Sequence, residues 1–373
     1  MTDPETREAV TACREGLPDA PSGGRLVFGF DGYVDRVRTI VADRQDADSF
    51  DRLETLAAVS ERLADSVAAD SSLTFEWVQN GIRTGGHTCH LGRAFGTLGF
   101  DPVMVGMYGR PVRDVFAEEF GAYTLHSMGE PGETDAVEFD DGKLMLTESG
   151  DTLGVDWDQI TGTVGRETLA DHLDGARLMG VGYWSEAPDF PGILDGLTDL
   201  WADLADPPGT FFVDTGDVRK LDPENLRAGV DAVRTLAAVV PVTVSANRAE
   251  TATLADALAD GPVDEWSTLE QAAAVRDRLG VERVVGHGVD SSVVAGADGT
   301  RASVAVPRIE DPVMTTSSGD HFNVGFALGL VEGLPDQAAL VLGNAVAGLF
   351  VRSGESPAYD DVREFVEGYP DAF

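Results

Sequence analysis

A short polar turn that leads into an apolar helix is the segment of this sequence best suited to chemistry. It reads MTTSSGDHFNVGFALGLVEGL over residues 314–334, with Asp320 at the predicted start of the helix. The first amides of an α-helix lack intrahelical acceptors and lie at the positive end of the helix dipole, so such a turn can bind an anion. A carboxylate beside a bound phosphoryl group could take a proton from an attacking hydroxyl. The alternative is that Ser317 or Asp320 serves only as the helix N-cap.

A second segment, TGGHTCHLGRAFGTLG over residues 84–99, combines a glycine-rich turn with the start of a helix. Gly85 and Gly86 allow close approach to the backbone, and His87 and His90 can donate and accept hydrogen bonds. The segment therefore favours binding of a polar ligand. Zinc binding is the alternative, but one cysteine between two histidines lacks the usual spacing of zinc ligands.

A third segment, VTVSANRAETATL over residues 242–254, places Asn247 and Glu250 after a predicted strand. Carboxylate and carbonyl oxygens suit Mg²⁺, which keeps several of its waters. The same pair fits a helix start in which Asn247 is the N-cap and Glu250 reaches back from the third position. The two interpretations are compatible, because a capped helix can still present both oxygens.

These segments resemble, in order and spacing, the signatures of the ribokinase-like (PfkB-type) carbohydrate kinases. The turn TTSSGDHF is similar to the family pattern D-T-T-G-A-G-D-x-F, with Met314, Ser317 and Ser318 in place of Asp, Gly and Ala. The resemblance implies that the amides of Ser317, Ser318 and Gly319 form an anion hole. It also implies that Asp320 is the catalytic base.

The glycine-rich turn resembles the family's G-G-N-x-x-N start, with two histidines replacing the amides. The resemblance implies that this turn binds the phosphoryl acceptor through Gly85, Gly86, His87 and His90. It also implies that the N-x-x-E segment orders Mg²⁺ and the phosphate tail, largely through water.

Weaker similarities complete the resemblance. GFDGYVD places Asp31 and Asp35 where the family holds a carboxylate that binds sugar hydroxyls, and FFVDTGDVR resembles D-x-N-x-R through Asp214. Nucleotide contacts are implied for three further residues in VVGHG and GNAVAGLFVRSG: Gly286, Gly288 and Asn344.

Strands alternate with helical segments along most of the chain, which predicts parallel βαβ units with helices on both faces. Ligands bind beyond the carboxyl ends of the strands in such sheets, where these polar residues fall. The resemblance implies a ribokinase-like three-layer α/β/α fold, with a mostly parallel, doubly wound sheet and a small β lid. We assign residues 24–373 to the kinase domain and residues 1–23 to an N-terminal extension. Parts of 32–48 and 110–155 are expected to build the lid.

The sequence carries 65 acidic and 27 basic residues, a formal net charge of −38. Nucleic acid and anionic membranes need a positive binding surface, so neither is expected as a partner. With 43% hydrophobic residues the chain can bury a core, so the acidity indicates a solvated surface suited to a high-salt cytoplasm. An ordinary acidic enzyme is the alternative. Two cysteines, a polar N-terminus and no apolar run of transmembrane length also predict a cytoplasmic protein.

The resemblance to the ribokinase-like kinases implies a kinase that transfers the terminal phosphoryl group of MgATP to a hydroxyl of a sugar or related polyol, with K⁺ as a candidate further cation. No Walker loop or nucleophile elbow competes with this interpretation. One alternative is an ADP-dependent sugar kinase of the same fold, which the GFDGYVD spacing favours and the lack of an H-x-E motif opposes. Another is a catalytically inactive regulator that binds nucleotide or sugar, which the altered anion-hole turn favours. A homodimer formed through the lid edge is a further expectation.

Overall fold

A computed structural model of the protein describes residues 3–259 and 261–369. Its strands, in chain order, are β1 (Arg25–Phe30), β2 (Tyr33–Arg44), β3 (Phe50–Arg52), β4 (Trp77–Gly85), β5 (Asp101–Gly106), β6 (Thr124–Ser127), β7 (Gly132–Phe139), β8 (Gly142–Glu148), β9 (Leu178–Gly182), β10 (Phe211–Asp214), β11 (Val242–Asn247), β12 (Arg283–His287), β13 (Ser291–Gly296) and β14 (Arg301–Ala305). Its α-helices are α1 (Pro4–Gly16), α2 (Leu56–Ala68), α3 (His87–Thr97), α4 (Asp114–Phe120), α5 (Trp157–Val164), α6 (Arg166–Leu173), α7 (Phe190–Trp201), α8 (Pro223–Ala237), α9 (Arg248–Leu258), α10 (Thr268–Leu279), α11 (Ser318–Val331), α12 (Asp336–Ser353) and α13 (Tyr359–Gly368). Short 3₁₀ turns cover Gly150–Gly154, Trp184–Glu186 and Val218–Lys220.

The main sheet of the described chain has nine strands in the order β14-β13-β12-β11-β10-β9-β1-β5-β6. The strands from β12 to β6 pair in parallel, and β13 and β14 complete one edge as antiparallel strands. In β1 every residue after Arg25 is buried. A parallel sheet covered on both faces needs such continuous apolar strands.

Two layers of helices cover the main sheet. Successive side chains of a strand point to opposite faces, so Val27 packs against the helices of one layer while Leu26 and Phe28 pack against the other. The first layer is built from α5 to α10, and the second contains α1, α3, α11, α12 and α13. The arrangement confirms the predicted three-layer α/β/α fold.

A second, smaller sheet lies at the carboxyl edge of the main sheet and follows β1 directly in the chain. Its strand order is β3-β2-β7-β8, and β4 also pairs with β2. The predicted lid ranges contain β2, β7 and β8. Two strands of the second sheet, β3 and β4, lie outside those ranges, and β6 within them belongs to the main sheet.

The N-terminal segment contributes to the core. Helix α1 begins after Asp3, whose carboxylate accepts a hydrogen bond from the amide of Thr6 at 2.9 Å. Its Ala9, Val10 and Cys13 are buried in the second layer against α12 and α13. Residues 4–16 therefore pack as part of the domain. Within the described ranges, we find no helix with the length and apolar character needed to span a bilayer.

Candidate active site

The carboxyl ends of β1, β9 and β10 meet the N-termini of α3 and α11 beneath the second sheet. A cavity of about 410 Å³, which we call the central cavity, lies at this junction. Its walls include Asp35, His90, Tyr183, Ser317 and Asp320. All of these except Tyr183 are site residues that the sequence predicts, so the fold places four predicted site residues around one cavity.

Asp320 is the third residue of α11 and is almost fully buried. Its Oδ1 accepts a hydrogen bond from the Tyr183 hydroxyl at 2.8 Å and lies 3.3 Å from Nδ1 of His87. In the described part of the chain no group donates to Oδ2. Burial alone would raise the pKa of this carboxyl. The imidazoles of His90 and His87 and the Tyr183 hydroxyl outweigh burial and hold that pKa below its ordinary value.

The turn before α11, residues 315–319, is here called the anion turn. Ser317 occupies the N-cap position with φ 65°, in the left-handed region, and its side chain caps no amide of the helix. The amide of Ser318 donates to the Thr315 carbonyl at 3.3 Å. Position in the helix leaves the amides of Gly319 and Asp320 without intrahelical acceptors. The prediction named the amides of Ser317, Ser318 and Gly319 as the anion hole. The helix geometry instead favours the amides of Gly319 and Asp320.

The two histidines of the glycine-rich turn have different environments. His87 is fully buried and does not reach the central cavity, so the predicted direct contact with a ligand does not fit its position. His90 lines the cavity and lies 2.9 Å through Nε2 from the hydroxyl of Ser317. Arg93 donates to Nδ1 of His90 at 3.1 Å, which leaves Nε2 to carry the proton. Burial lowers the pKa of His90 to about 3, so this imidazole is neutral.

Asp31 and Asp35 also separate into two roles. Asp31 accepts hydrogen bonds from the amides of His87 at 2.7 Å and Thr88 at 2.9 Å, so it caps α3 from a distant strand. Gly86 allows this approach, because it has φ 91° and a Cβ there would lie 2.6 Å from the Asp31 carboxylate. Asp31 is almost fully buried and is not part of the wall of the central cavity, so it does not fit the predicted role in binding sugar hydroxyls. Asp35 lines the cavity, and burial raises its pKa to about 6 against the hydrogen bond of Thr134.

A buried network continues behind Asp320. Asp214 accepts hydrogen bonds from the amides of Gly216 at 2.8 Å and of the Asn323 side chain at 2.5 Å. Ligand atoms of His87, Asp214 and Asp320 lie within 4.8 Å of one another, a spacing that a metal ion could use. Protein groups donate to both oxygens of Asp214 and to Oδ1 of Asp320, whereas the buried Nε2 of His87 has no hydrogen-bond partner among the described residues.

Asn247 and Glu250 form the capping box that the sequence allows. The Asn247 side chain accepts hydrogen bonds from the amides of Ala249 and Glu250, and Glu250 Oε2 accepts from the Asn247 amide at 2.7 Å. Burial, with the nearby charge of Asp214, raises the pKa of Glu250 to about 7. The capping box uses only one Glu250 oxygen, so Oε1 is available to a hydrated cation. The pair therefore fits Mg²⁺ held through water.

The predicted nucleotide contacts receive less support. A Cβ on Gly286 would meet side chains of Thr268 and Val293 at 3.0 Å, so this glycine faces the packed interior. Gly288 follows β12, and a Cβ there would make only ordinary contacts, so the packing does not oppose a nucleotide at this residue. Its contact with the nucleotide stays a prediction. Asn344 is a buried residue of α12, and its side-chain amide donates to the hydroxyl of Tyr369, at the end of α13, at 2.9 Å. This position does not fit a contact with adenine.

Three residues of the central cavity that follow strands of the main sheet carry no motif in the sequence. Tyr183 and Glu186 follow β9, and Lys220 follows β10 and forms an ion pair with Glu186. Their one sequence signal is their position after buried strands, which is where the ligand edge of a doubly wound sheet lies.

Solved structures with the same architecture identify the class of fold to which this protein belongs. A probable sugar kinase from Rhizobium etli superposes with a TM-score of 0.64 at 16% identity, covering 94% of this chain and 99% of that one. Arabidopsis thaliana ribokinase complexed with ribose and ATP gives a TM-score of 0.61 at 16% identity, over 93% of this chain and 99% of that one. The fold is therefore that of the ribokinase-like kinases, as the sequence resemblance implies.

Sequence comparison narrows the class to one family. The family model for prokaryotic ketohexokinases matches residues 2–369. The ketohexokinase of Haloferax volcanii is 53% identical over 372 residues, spanning 100% of this chain and 98% of that protein. The chain belongs to the prokaryotic ketohexokinase family, and it is a sugar kinase, a phosphotransferase with an alcohol group as acceptor.

Proposed function

We propose that this chain transfers the terminal phosphoryl group of MgATP to a hydroxyl of an uncharged keto sugar bound in the central cavity, with Asp320 as the base. The observation that carries this proposal is the geometry of the Asp320 carboxylate. Tyr183 and His87 hold Oδ1, while no group of the described residues donates to Oδ2, and Asp320 lines the cavity. A carboxylate held in this way is oriented to accept a proton.

The chemistry requires one proton acceptor and one anion site. Asp320 Oδ2 takes the proton of the acceptor hydroxyl while that oxygen forms its bond to phosphorus and the bond from phosphorus to the ADP oxygen breaks. The free amides of Gly319 and Asp320 lie at the positive end of α11, where they stabilise the charge of the transferred group. The protein thus contributes mainly position and electrostatics.

Mg²⁺ would neutralise charge on the phosphate tail when bound. Glu250 Oε1 and Asn247 are the groups of this chain proposed to hold its waters. Asp320 is proposed to act on the acceptor alone, because its carboxylate lies under the second sheet with the acceptor cavity.

The charges around the central cavity favour a neutral acceptor. Its described walls carry the carboxylates of Asp35, Glu186 and Asp320, and one cation, Lys220, which is paired with Glu186. An anionic sugar acid or sugar phosphate would therefore meet net repulsion. A volume of about 410 Å³ lies in the range of small-molecule sites. The names of the related proteins, ketohexokinases, supply the choice of a keto sugar.

The second sheet is proposed to act as the lid. Its strands supply Asp35, Thr134 and Thr147 to the cavity wall, so movement of this sheet would open and close the acceptor side. Closure would exclude water and suppress hydrolysis of the nucleotide. The homodimer through the lid edge stays a prediction.

A donor and acceptor screen tests the proposal. Purified protein in molar KCl with Mg²⁺ is assayed with ATP or ADP against ketohexoses, aldohexoses, sugar acids, polyols and nucleosides, and the product is identified by NMR. We expect turnover with ATP and a ketohexose that falls by at least roughly 100-fold in Asp320→Asn. Asp256→Asn, at an exposed position of α9, is the matched control and should retain activity. Turnover that survives in Asp320→Asn would contradict the assignment of the base.

A further inference from the structure

His87 is a buried imidazole that the acceptor cannot reach. It is the first residue of α3, its side chain has no solvent exposure, and it is not part of the wall of the central cavity. The ring packs edge-on against Tyr183, with centroids 5.4 Å apart. A role in substrate recognition would require an exposed donor, which His87 lacks.

The ring is instead placed behind the base. Its Nδ1 lies 3.3 Å from Oδ1 of Asp320 and 3.9 Å from Oδ2 of Asp214. The Tyr183 hydroxyl donates to the same Oδ1 of Asp320 at 2.8 Å. Two donors thus converge on one oxygen of the carboxylate and fix its plane.

Three carboxyl groups crowd this point, and because burial raises the pKa of Asp31 and of Asp214, a cation here would stabilise their ionised forms. Asp31, Asp214 and Asp320 are all buried, at 2%, 7% and 6% exposure. In the residues that the structure describes, no lysine or arginine is paired with any of the three. Burial lowers the pKa of the other imidazoles that interact with Asp320, those of His90, His287 and His321, so within the described residues His87 is the imidazole here that can carry positive charge.

We propose that His87 is a buried imidazolium that positions the base, holding Asp320 Oδ1 and keeping the carboxylate ionised so that Oδ2 can accept the proton of the acceptor. This inference rests on the proposed function, in which Asp320 is the base. His87 is a positioning residue, since it acts through Asp320. It stands where the family pattern has an amide side chain, which can donate a hydrogen bond and cannot carry charge.

The electrostatics agree with this geometry. Burial alone would lower the pKa of His87, but the hydrogen bond to Asp320 and the charges of Asp214 and Asp31 outweigh burial and raise that pKa. Titratable groups face the ring from every element around it: Asp320 on α11, Asp214 at the end of β10, Asp31 after β1, Tyr183 after β9 and His90 on α3. Of these groups the carboxylates favour the charged ring.

Kinetics of His87→Asn separate positioning from substrate binding. We expect kcat at the pH optimum to fall roughly 10- to 100-fold, because the carboxylate loses its orientation. The KM for the acceptor should stay within about 2-fold, since the ring does not reach the cavity. With Mg²⁺ and the acceptor both saturating at each pH, the acid limb of the kcat–pH profile should move up by about one pH unit or more, because removing a neighbouring cation raises the pKa of the Asp320 carboxyl. His172→Asn, at a half-buried histidine of α6, is the control and should change none of these quantities.

NMR titration of the wild-type imidazoles provides a test that does not depend on the folding of His87→Asn. We expect His87 to remain protonated at neutral pH, and to titrate at lower pH in Asp214→Asn. A neutral His87 ring throughout the active pH range would overturn the proposal. So would a His87→Asn protein with normal kcat, an unmoved acid limb and a raised acceptor KM, while Asp320→Asn is inactive. Full activity of Asp320→Asn would instead refute the proposed base itself.

Discussion

The hydroxyl of Ser317 lies 2.9 Å from Nε2 of His90, and the two residues are both departures from the family pattern. Ser317 has φ 65°, a conformation that glycine adopts freely and that costs another residue about 1–2 kcal/mol. The hydrogen bond from His90 offsets part of this cost. Arg93 fixes the tautomer of His90, and Glu119 in turn binds Arg93. The side-chain contacts from Glu119 through Arg93 and His90 to Ser317 therefore stabilise the anion turn. In the family pattern the position of Ser317 is a glycine, which needs no such support.

A double-mutant cycle on this pair tests the coupling. Ser317→Gly removes both the backbone strain and the hydrogen bond, so we expect its stability to stay within about 1 kcal/mol of wild type. His90→Asn keeps the strain and loses the bond, so it should destabilise by about 1 kcal/mol and lower kcat/KM. The double variant should be no worse than His90→Asn, giving a coupling of about 0.5–1.5 kcal/mol in thermal or denaturant unfolding.

The matched control for the backbone effect is Asp70→Gly. Asp70 also has a positive φ, 45°, but lies on the surface beyond α2. This variant should gain stability from relief of backbone strain and keep wild-type kcat/KM. Strictly additive effects of Ser317→Gly and His90→Asn would show that the two residues act independently.

Glu250→Gln tests the proposed Mg²⁺ contact. Because the pKa of Glu250 is raised to about 7, a proton competes with the cation below that pH, so wild-type protein should need more Mg²⁺ at pH 6 than at pH 8. Glutamine can keep the capping box but carries no charge. We expect the half-saturating Mg²⁺ concentration to rise about 10-fold at pH 8 and to lose most of its dependence on pH.

Mg²⁺ titrations of activity at the two pH values make this measurement. Glu270→Gln is the control, because Glu270 forms the equivalent capping box with Ser267 at the start of α10. An equal change in both variants would indicate that the effect comes from helix capping. Unaltered Mg²⁺ dependence in Glu250→Gln would exclude Glu250 from the cation site.

Asp35 should give acceptor binding its own pH dependence. Burial raises its pKa to about 6, so the carboxylate is protonated as the pH falls through that value. An ionised Asp35 accepts hydrogen bonds from acceptor hydroxyls more strongly than the protonated acid. The acceptor KM of the wild type should therefore rise below pH 6. Asp35→Asn should show a KM about 10-fold higher and level between pH 5 and 8, with a smaller effect on kcat. If the acceptor KM of Asp35→Asn still rises below pH 6, a group other than Asp35 is responsible for the pH dependence of acceptor binding.

The sequence could predict the position of Asp320 at the start of α11 and the capping box of Asn247 and Glu250, because both features are local. Asp320 and its turn, like Asn247 and Glu250, are set by a few consecutive residues at a helix start. The role proposed for His87 depends on contacts with Asp214 and Asp320, which are remote in the chain, so the glycine-rich motif alone predicts a ligand contact instead. Asp31 likewise caps a helix that begins 56 residues later.

The second sheet was harder to predict for a related reason. A helical period over residues 49–69 predicts one helix, but the structure places β3 at Phe50–Arg52 before α2 begins at Leu56. Strand β4 is largely exposed until its last two residues, so it lacks the alternation that marks a strand. Pairing with β2 stabilises it, and that pairing has no signal in the β4 sequence.

Salt should stabilise this protein over a wide range of concentration. The chain has 65 acidic and 27 basic residues, so like charges are crowded on its surface. The screening length falls from about 10 Å at 0.1 M salt to about 3 Å at 1 M, which weakens repulsion between neighbouring carboxylates. We expect the unfolding midpoint to rise by about 5 °C or more between 0.1 M and 2 M KCl, measured by scanning fluorimetry with sucrose as an uncharged control. A midpoint that does not change with KCl would show that repulsion contributes little and would favour an ordinary acidic enzyme over adaptation to a high-salt cytoplasm.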